Sequence, residues 1–135
     1  MKAGCFVDTL DSWASWDKLE ILYSLVCQAV SAYAMVMGHI SHFDQAGGCF
    51  YFIMAGSGKT KSEIIARHRK AWSAAMEATI KAGGKINHHH GVGLAKLPWK
   101  EHAFEAGWLG NFAQRKRKLD PNNIMNPGKI VGNEI

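Results

Sequence analysis

The chain has 135 residues, of which 47% are hydrophobic and 20% are charged, and a formal net charge of +5. This composition excludes a largely disordered chain, and the length favours one domain with a real core. The positive charge permits an anionic partner, but only Arg115–Lys118 is densely basic, so we expect a solvated helix face there and no nucleic-acid binding.

The cysteines and the apolar segments indicate the compartment. Cys5, Cys27 and Cys49 are odd in number, far apart and without CxxC spacing, which argues against a disulfide framework and a thiolate zinc site. We therefore expect a reducing, cytoplasmic setting. Asp8 interrupts the opening too early for a secretory signal, and the longest apolar stretch is about half of what a bilayer crossing needs.

The first half of the chain predicts a strand, a helix and a hairpin. Residues 3–10 are typical of a strand, and the polar residues that follow predict a turn. Ser15 can cap a helix whose apolar stripe has helical spacing. The stripe consists of Trp16, Leu19, Leu22, Tyr23, Val26 and Val30. Residues 32–43 and 47–56 are then two apolar segments joined by a short loop, which predicts antiparallel neighbours.

The second half begins with a predicted helix over residues 60–81 that stops at Gly83 and Gly84. Residues 85–87 restart an extended segment that runs into the histidines, and short helices follow Pro98. The order indicates an α+β fold of the ferredoxin-like split βαβ kind: an antiparallel sheet with helices on one face, then short C-terminal helices and an extended tail. We expect a division into residues 1–96 and 97–135.

Three consecutive histidines before two glycines leave several interpretations open. His39 and His42, together with the histidine run, could supply nitrogen ligands to zinc. In a strand, however, His88 and His90 would point to one side and His89 to the other, and no cysteine partner is evident, so no metal ligands are assigned. Gly91 and Gly93 remove side chains where the backbone must turn or approach a flat ring such as an isoalloxazine. Imidazoles beside such a ring could bind substrate oxygens or move protons. A simple strand end is the alternative.

Two motifs carry a family resemblance. "HHHGVGLAK" at 88–96 and "RKRKLDPNNIMNPGK" at 115–129 resemble the carboxy-terminal end of FAD-linked oxidases whose flavin domain is like that of vanillyl-alcohol oxidase. Three histidines in a row are similar to the alkylglycerone-phosphate synthase branch, whereas the lactate and glycolate branches usually have Glu before a single His. The resemblance extends over nearly all of the chain.

The resemblance implies specific catalytic residues. It places His88, His89 and His90 at the active site, facing flavin and substrate, and makes Tyr51 an acid/base candidate. A free tyrosine titrates near pH ~10, so this role would need nearby positive charge or a hydrogen bond to the phenolate.

The resemblance also implies FAD as cofactor. FAD would be held mainly by an FAD-binding domain that this chain lacks, on the same or a neighbouring polypeptide. In the tail, Asn123, Asn126 and Lys129 match a segment expected to dock against that domain. The residues implied to contact the cofactor are His89, His90, Gly91, Gly93 and Asn126.

The expected function is that of a C-terminal piece of an FAD-dependent oxidoreductase or flavin-dependent transferase, which covers the flavin and positions a small-molecule substrate. The piece alone is expected to be inactive. Oxidation of a 2-hydroxy acid is the alternative within the family. A stand-alone ferredoxin-like binding module that self-associates is the alternative outside it.

Overall fold

A computed structural model describes residues 4–131, which divide between His90 and Gly91 into two compact units. The first unit contains three strands and two helices. They are β1 (Gly4–Ser15), α1 (Leu19–Ser31), β2 (Met35–Phe43), β3 (Gly47–Gly58) and α2 (Lys61–Lys81). The strands form one antiparallel sheet in the order β1-β3-β2. The predicted α+β class and the predicted hairpin are confirmed.

Strand β1 is longer than predicted, and the turn expected after residue 10 is wrong. The polar residues Asp11 and Ser12 stay in the ladder, and pairing with β3 continues as far as Ser15 opposite Gly47. Gly47 allows this close approach, because a Cβ there would lie 2.1 Å from the carbonyl oxygen of Ala14. Cross-strand pairing therefore outweighs the local turn preference of this segment.

Helix α1 buries most of its predicted stripe. Leu19, Leu22, Val26 and Val30 are buried. Trp16 and Tyr23 are instead 49% and 39% exposed. Trp16 lies in a short 3-10 turn that precedes the helix, so α1 begins three residues later than Ser15 would imply.

Helix α2 has the predicted bounds and a well-formed start. The Thr60 hydroxyl accepts a hydrogen bond from the Glu63 N–H at 3.1 Å, and the Glu63 carboxylate accepts one from the Lys59 N–H at 2.8 Å. This is the reciprocal arrangement of a capping box. Past the helix end, Gly83 takes the left-handed conformation at φ 70°, which terminates the helix as predicted.

Both helices pack on one face of the sheet, as predicted. Tyr23 packs against Phe50 and Phe52, and the Thr79 hydroxyl lies 3.2 Å from the Ser12 hydroxyl. Side chains alternate along a strand, so their neighbours point to the opposite face. On that opposite face Asp11, Tyr51 and His39 lie side by side across the three strands.

The expected fourth strand is reduced to a single bridge. Lys85 pairs with Trp13 through two backbone hydrogen bonds of 3.0 and 2.7 Å. Further along the chain, the backbone N–H groups of residues 88–90 donate to the Asp11 side chain instead of the β1 backbone. A carboxylate that accepts hydrogen bonds from the backbone thus replaces the ladder.

The second unit contains the predicted short helices, a 3-10 helix at Leu97–His102 and α3 at Trp108–Leu119. The tail folds around Asp120, whose carboxylate accepts hydrogen bonds from the N–H groups of Ile124 and Met125, each at 3.0 Å, and pairs with Lys116. Across residues 4–131, no helix is both long and apolar enough to cross a membrane.

Candidate active site

The three consecutive histidines lie on a bend, not on a strand, and their side chains are partly exposed. The backbone N–H groups of His88, His89 and His90 all donate to Oδ2 of Asp11, at 2.7, 2.6 and 3.1 Å. Asp11 is completely buried. Three successive N–H groups that converge on one anion fix the bend and hold the imidazoles at the surface.

Tyr51 lies beside this bend, so the structure brings all four predicted catalytic residues together. Its ring meets that of His90 edge-on, with centroids 5.3 Å apart, and stacks more distantly on His89 at 6.5 Å. On its other side the His39 ring is 5.4 Å away. A phenol surrounded by imidazoles is a suitable arrangement for proton transfer.

A bulge in β2 adds a further imidazole. The register shifts between Ile40 and His42, so His42 pairs with Cys49 and points to the same face as Tyr51. Bulges commonly redirect a side chain in this way. The His42 ring lies 4.5 Å from that of His89 and 5.4 Å from that of His88.

The resulting cluster contains potential metal ligands. One ligand atom each from His42, Cys49, His88 and His89 lies within 4.8 Å of the others. Two of the sequence-based reasons against a metal are therefore wrong, because the bend does not alternate like a strand and Cys49 is a neighbour. Tetrahedral zinc requires ligand–ligand distances of about 3.3–3.6 Å, since its bonds are about 2.0–2.3 Å long. The side chains would have to adjust, because Sγ of Cys49 lies 4.0 Å from Nδ1 of His89, whereas the Nδ1 atoms of His88 and His89 are only 3.1 Å apart. The absence of a functional metal stays a prediction.

His89 has a perturbed pKa. Burial lowers the pKa of His89 below its usual value, the Asp11 carboxylate opposes this, and the imidazoles of His90, His42 and His88 add to the lowering. The Nδ1 atoms of His88 and His89 are 3.1 Å apart, a hydrogen bond that requires one of them to be unprotonated. The cluster therefore favours neutral imidazole at His89.

The remaining predicted site residues belong to the second unit. Gly91 and Gly93 have positive φ angles of 80° and 55°, and a Cβ at either would meet nothing within 4 Å. These glycines therefore permit the backbone to turn directly after the histidines. The backbone of Asn126 also has the left-handed conformation, with a φ angle of 47°. The roles of Asn126 in cofactor contact and tail docking stay predictions.

Sequence reasoning missed Asp11 as a site residue and considered His39 and His42 only as metal ligands. A signal for His39 existed, since it occupies the strand that pairs with Tyr51 across the predicted hairpin. No sequence signal pointed to Asp11, because the backbone N–H groups that donate to it are 77–79 residues away in the chain.

Comparison with known proteins identifies the family. The model of the family "FAD linked oxidases, C-terminal domain" matches residues 1–130. The chain belongs to this family. An alkyldihydroxyacetonephosphate synthase from Dictyostelium discoideum is 30% identical to this chain over 133 residues, which is 93% of the chain and 22% of the synthase.

A further relative and a solved structure are also similar to this chain. An uncharacterized FAD-linked oxidoreductase from Escherichia coli (strain K12) is 29% identical over 140 residues, 96% of the chain and 29% of that protein. A solved structure of an alkyldihydroxyacetonephosphate synthase superposes with a TM-score of 0.59 at 24% identity and covers 93% of the chain and 20% of the synthase. This likeness supports the fold. The chain thus spans between about a fifth and a third of the length of these relatives.

Proposed function

We propose that this FAD-linked oxidase C-terminal domain covers the flavin of a longer FAD-dependent oxidoreductase or flavin-dependent transferase. The observation that carries the proposal is the convergence of Tyr51 and the bend at His88–His90 on one partly exposed patch of the sheet. The two segments are far apart in the chain, and together they place four titratable rings on this patch.

The chemistry of the patch fits a flavin and a substrate. FAD, when bound, supplies the electron chemistry, and the protein supplies placement and proton transfer. His89 is held towards the neutral form, which can accept a proton or a substrate hydrogen bond. Tyr51 is the acid/base candidate, and the imidazoles that surround it provide hydrogen-bond partners for substrate oxygens.

The glycines that follow the bend suit the approach of a flat ring. Open space at the Cβ positions of Gly91 and Gly93 is what a backbone needs if such a ring is to come close to it. Our proposed cofactor contacts are His89 and His90 in the first unit and Gly91, Gly93 and Asn126 in the second.

Transferase-like chemistry on an alkylglycerone-phosphate type of substrate is the leading version, because relatives with this name cover nearly all of the chain. Oxidation of a 2-hydroxy acid is the second version. Its support is a Bacillus subtilis glycolate oxidase subunit that is 34% identical over 68 residues, half of the chain. Oxidation removes two electrons from the substrate, whereas transfer of an alkyl group removes none overall. Net reduction of the flavin therefore distinguishes the oxidase version from the transferase version.

We expect the gene to encode an FAD-binding region beside this chain, and the test uses the chain joined to that region. We expect a flavin absorption spectrum from the joined protein and none from the 135-residue chain alone. Anaerobic addition of glycolate, D-lactate or an acyl dihydroxyacetone phosphate then reports which substrate bleaches the flavin and how fast. Lasting reduction by a hydroxy acid favours the second version.

Two variants make the assay specific. Tyr51→Phe is expected to slow bleaching by about 100-fold or more, a typical contribution of a positioned acid or base. Tyr23→Phe is the matched control, because this tyrosine packs against Phe50 and Phe52 on the helix-covered face. Equal rates in Tyr51→Phe and wild type would remove the acid/base role, and failure of the joined protein to bind FAD would remove the proposal itself.

A further inference from the structure

Asp11 is an unusual residue for the middle of a sheet. It has no exposed surface, yet it lies on the face opposite the helices, directly across from Tyr51. The bend at His88–His90 covers it from above through three backbone hydrogen bonds to one carboxylate oxygen. A buried carboxylate persists only where such partners compensate for lost hydration.

The same carboxylate also faces two of the imidazoles. Nδ1 of His90 lies 3.5 Å from Oδ1, and Nδ1 of His89 lies 3.6 Å from Oδ2. At these distances the negative charge attracts a proton on Nδ1. Of the two rings, His89 already shares its Nδ1 with the Nδ1 of His88 at 3.1 Å. His90 is thus the ring whose tautomer the carboxylate is best placed to set.

We propose that Asp11 is a positioning residue for the histidine cluster. Its carboxylate holds the backbone of the bend in place and keeps the imidazole of His90 protonated on Nδ1. Nε2 of His90 then keeps its lone pair and serves as a proton or hydrogen-bond acceptor beside Tyr51. Carboxylate–imidazole pairs orient histidines in this way at many sites. The significance for catalysis rests on the function proposed above, but the positioning itself is a property of the chain without flavin.

The decisive measurement is made on the 135-residue chain without flavin, by 15N-resolved NMR of the histidine rings. In the wild type, His90 is expected to be mainly the Nδ1–H tautomer, although free histidine prefers Nε2–H. In Asp11→Asn, whose side chain has nearly the same shape, we expect the Nδ1–H preference of His90 to be lost. We also expect hydrogen exchange at the amides of residues 88–90 to accelerate by about tenfold or more.

Asp8→Asn is the matched control. Asp8 lies on the same strand but points to the helix face, where its carboxylate accepts hydrogen bonds from His68 and Trp72. This variant should change the ring signals of His68 and leave those of His90 unchanged. A wild-type His90 that is mainly Nε2–H overturns the proposal even if Asp11→Asn fails to fold, and so does an unchanged His90 tautomer in a folded Asp11→Asn chain. Loss of flavin binding in the joined protein with normal NMR results would instead count against the proposed function alone.

Discussion

Replacing Asp11 with alanine tests whether the histidine bend depends on the buried carboxylate. The substitution removes the acceptor of three backbone N–H groups, from His88, His89 and His90, and leaves the sheet itself intact. Nothing else in the immediate ladder can replace it, since the neighbouring pairing of β1 with this segment consists of the single bridge between Trp13 and Lys85.

The magnitude follows from the hydrogen bonds. A bond to a charged acceptor contributes about 1.5–3 kcal/mol, so three bonds set an upper limit of about 5–9 kcal/mol. Two effects reduce this figure: the histidines lie at the surface, where water can reach their amides, and alanine also abolishes the cost of burying a charge. We therefore expect a loss of about 3 kcal/mol in the free energy of unfolding.

Urea denaturation followed by tryptophan fluorescence measures this loss. With a slope of about 2 kcal/mol per molar urea, the midpoint should fall by roughly 1.5 M. Asp8→Ala, whose side chain is 37% exposed, serves as the comparison and is expected to cost about 1 kcal/mol. A change of less than about 0.5 kcal/mol in Asp11→Ala, no more than an ordinary surface substitution, would refute the dependence of the bend on this carboxylate.

Three further outcomes are expected. Phe52→Ala, at a fully buried position, should lower the free energy of unfolding by about 3–5 kcal/mol. Phe43→Ala, at a position that is 77% exposed, should stay within about 0.5 kcal/mol of the wild type. Equal losses of stability in urea denaturation would show that the core is misplaced. Because the pKa of His89 is lowered by folding, the unfolded chain takes up a proton first, so the free energy of unfolding should decline as pH falls below the usual histidine value. His89→Gln should flatten that decline, which a series of urea titrations between pH 5 and 8 (about one to two units around the free imidazole value) would reveal. Finally, tag-free protein should contain well below one zinc per chain by elemental analysis; stoichiometric zinc that Cys49→Ser abolishes would contradict this.

Much of the fold was predictable from sequence because it depends on local periodicity. The stripe from Leu19 to Val30 and the capping residues of α2 specify helices from neighbours three or four positions apart. The turn chemistry between β2 and β3 likewise lies within a few residues. These signals are visible without any knowledge of the remainder of the chain.

The architecture of the candidate site was decided by contacts that the sequence does not display. The motif predicted that His88, His89, His90 and Tyr51 belong together, but their arrangement depends on Asp11, far away in the chain. The bulge that turns His42 to the face of Tyr51 and the replacement of a fourth strand by a bend arise in the same way. The backbone N–H groups of the bend can bind the Asp11 carboxylate only because the folded sheet brings the two close together. The position of this carboxylate, not the local sequence pattern, therefore determined where the imidazoles lie.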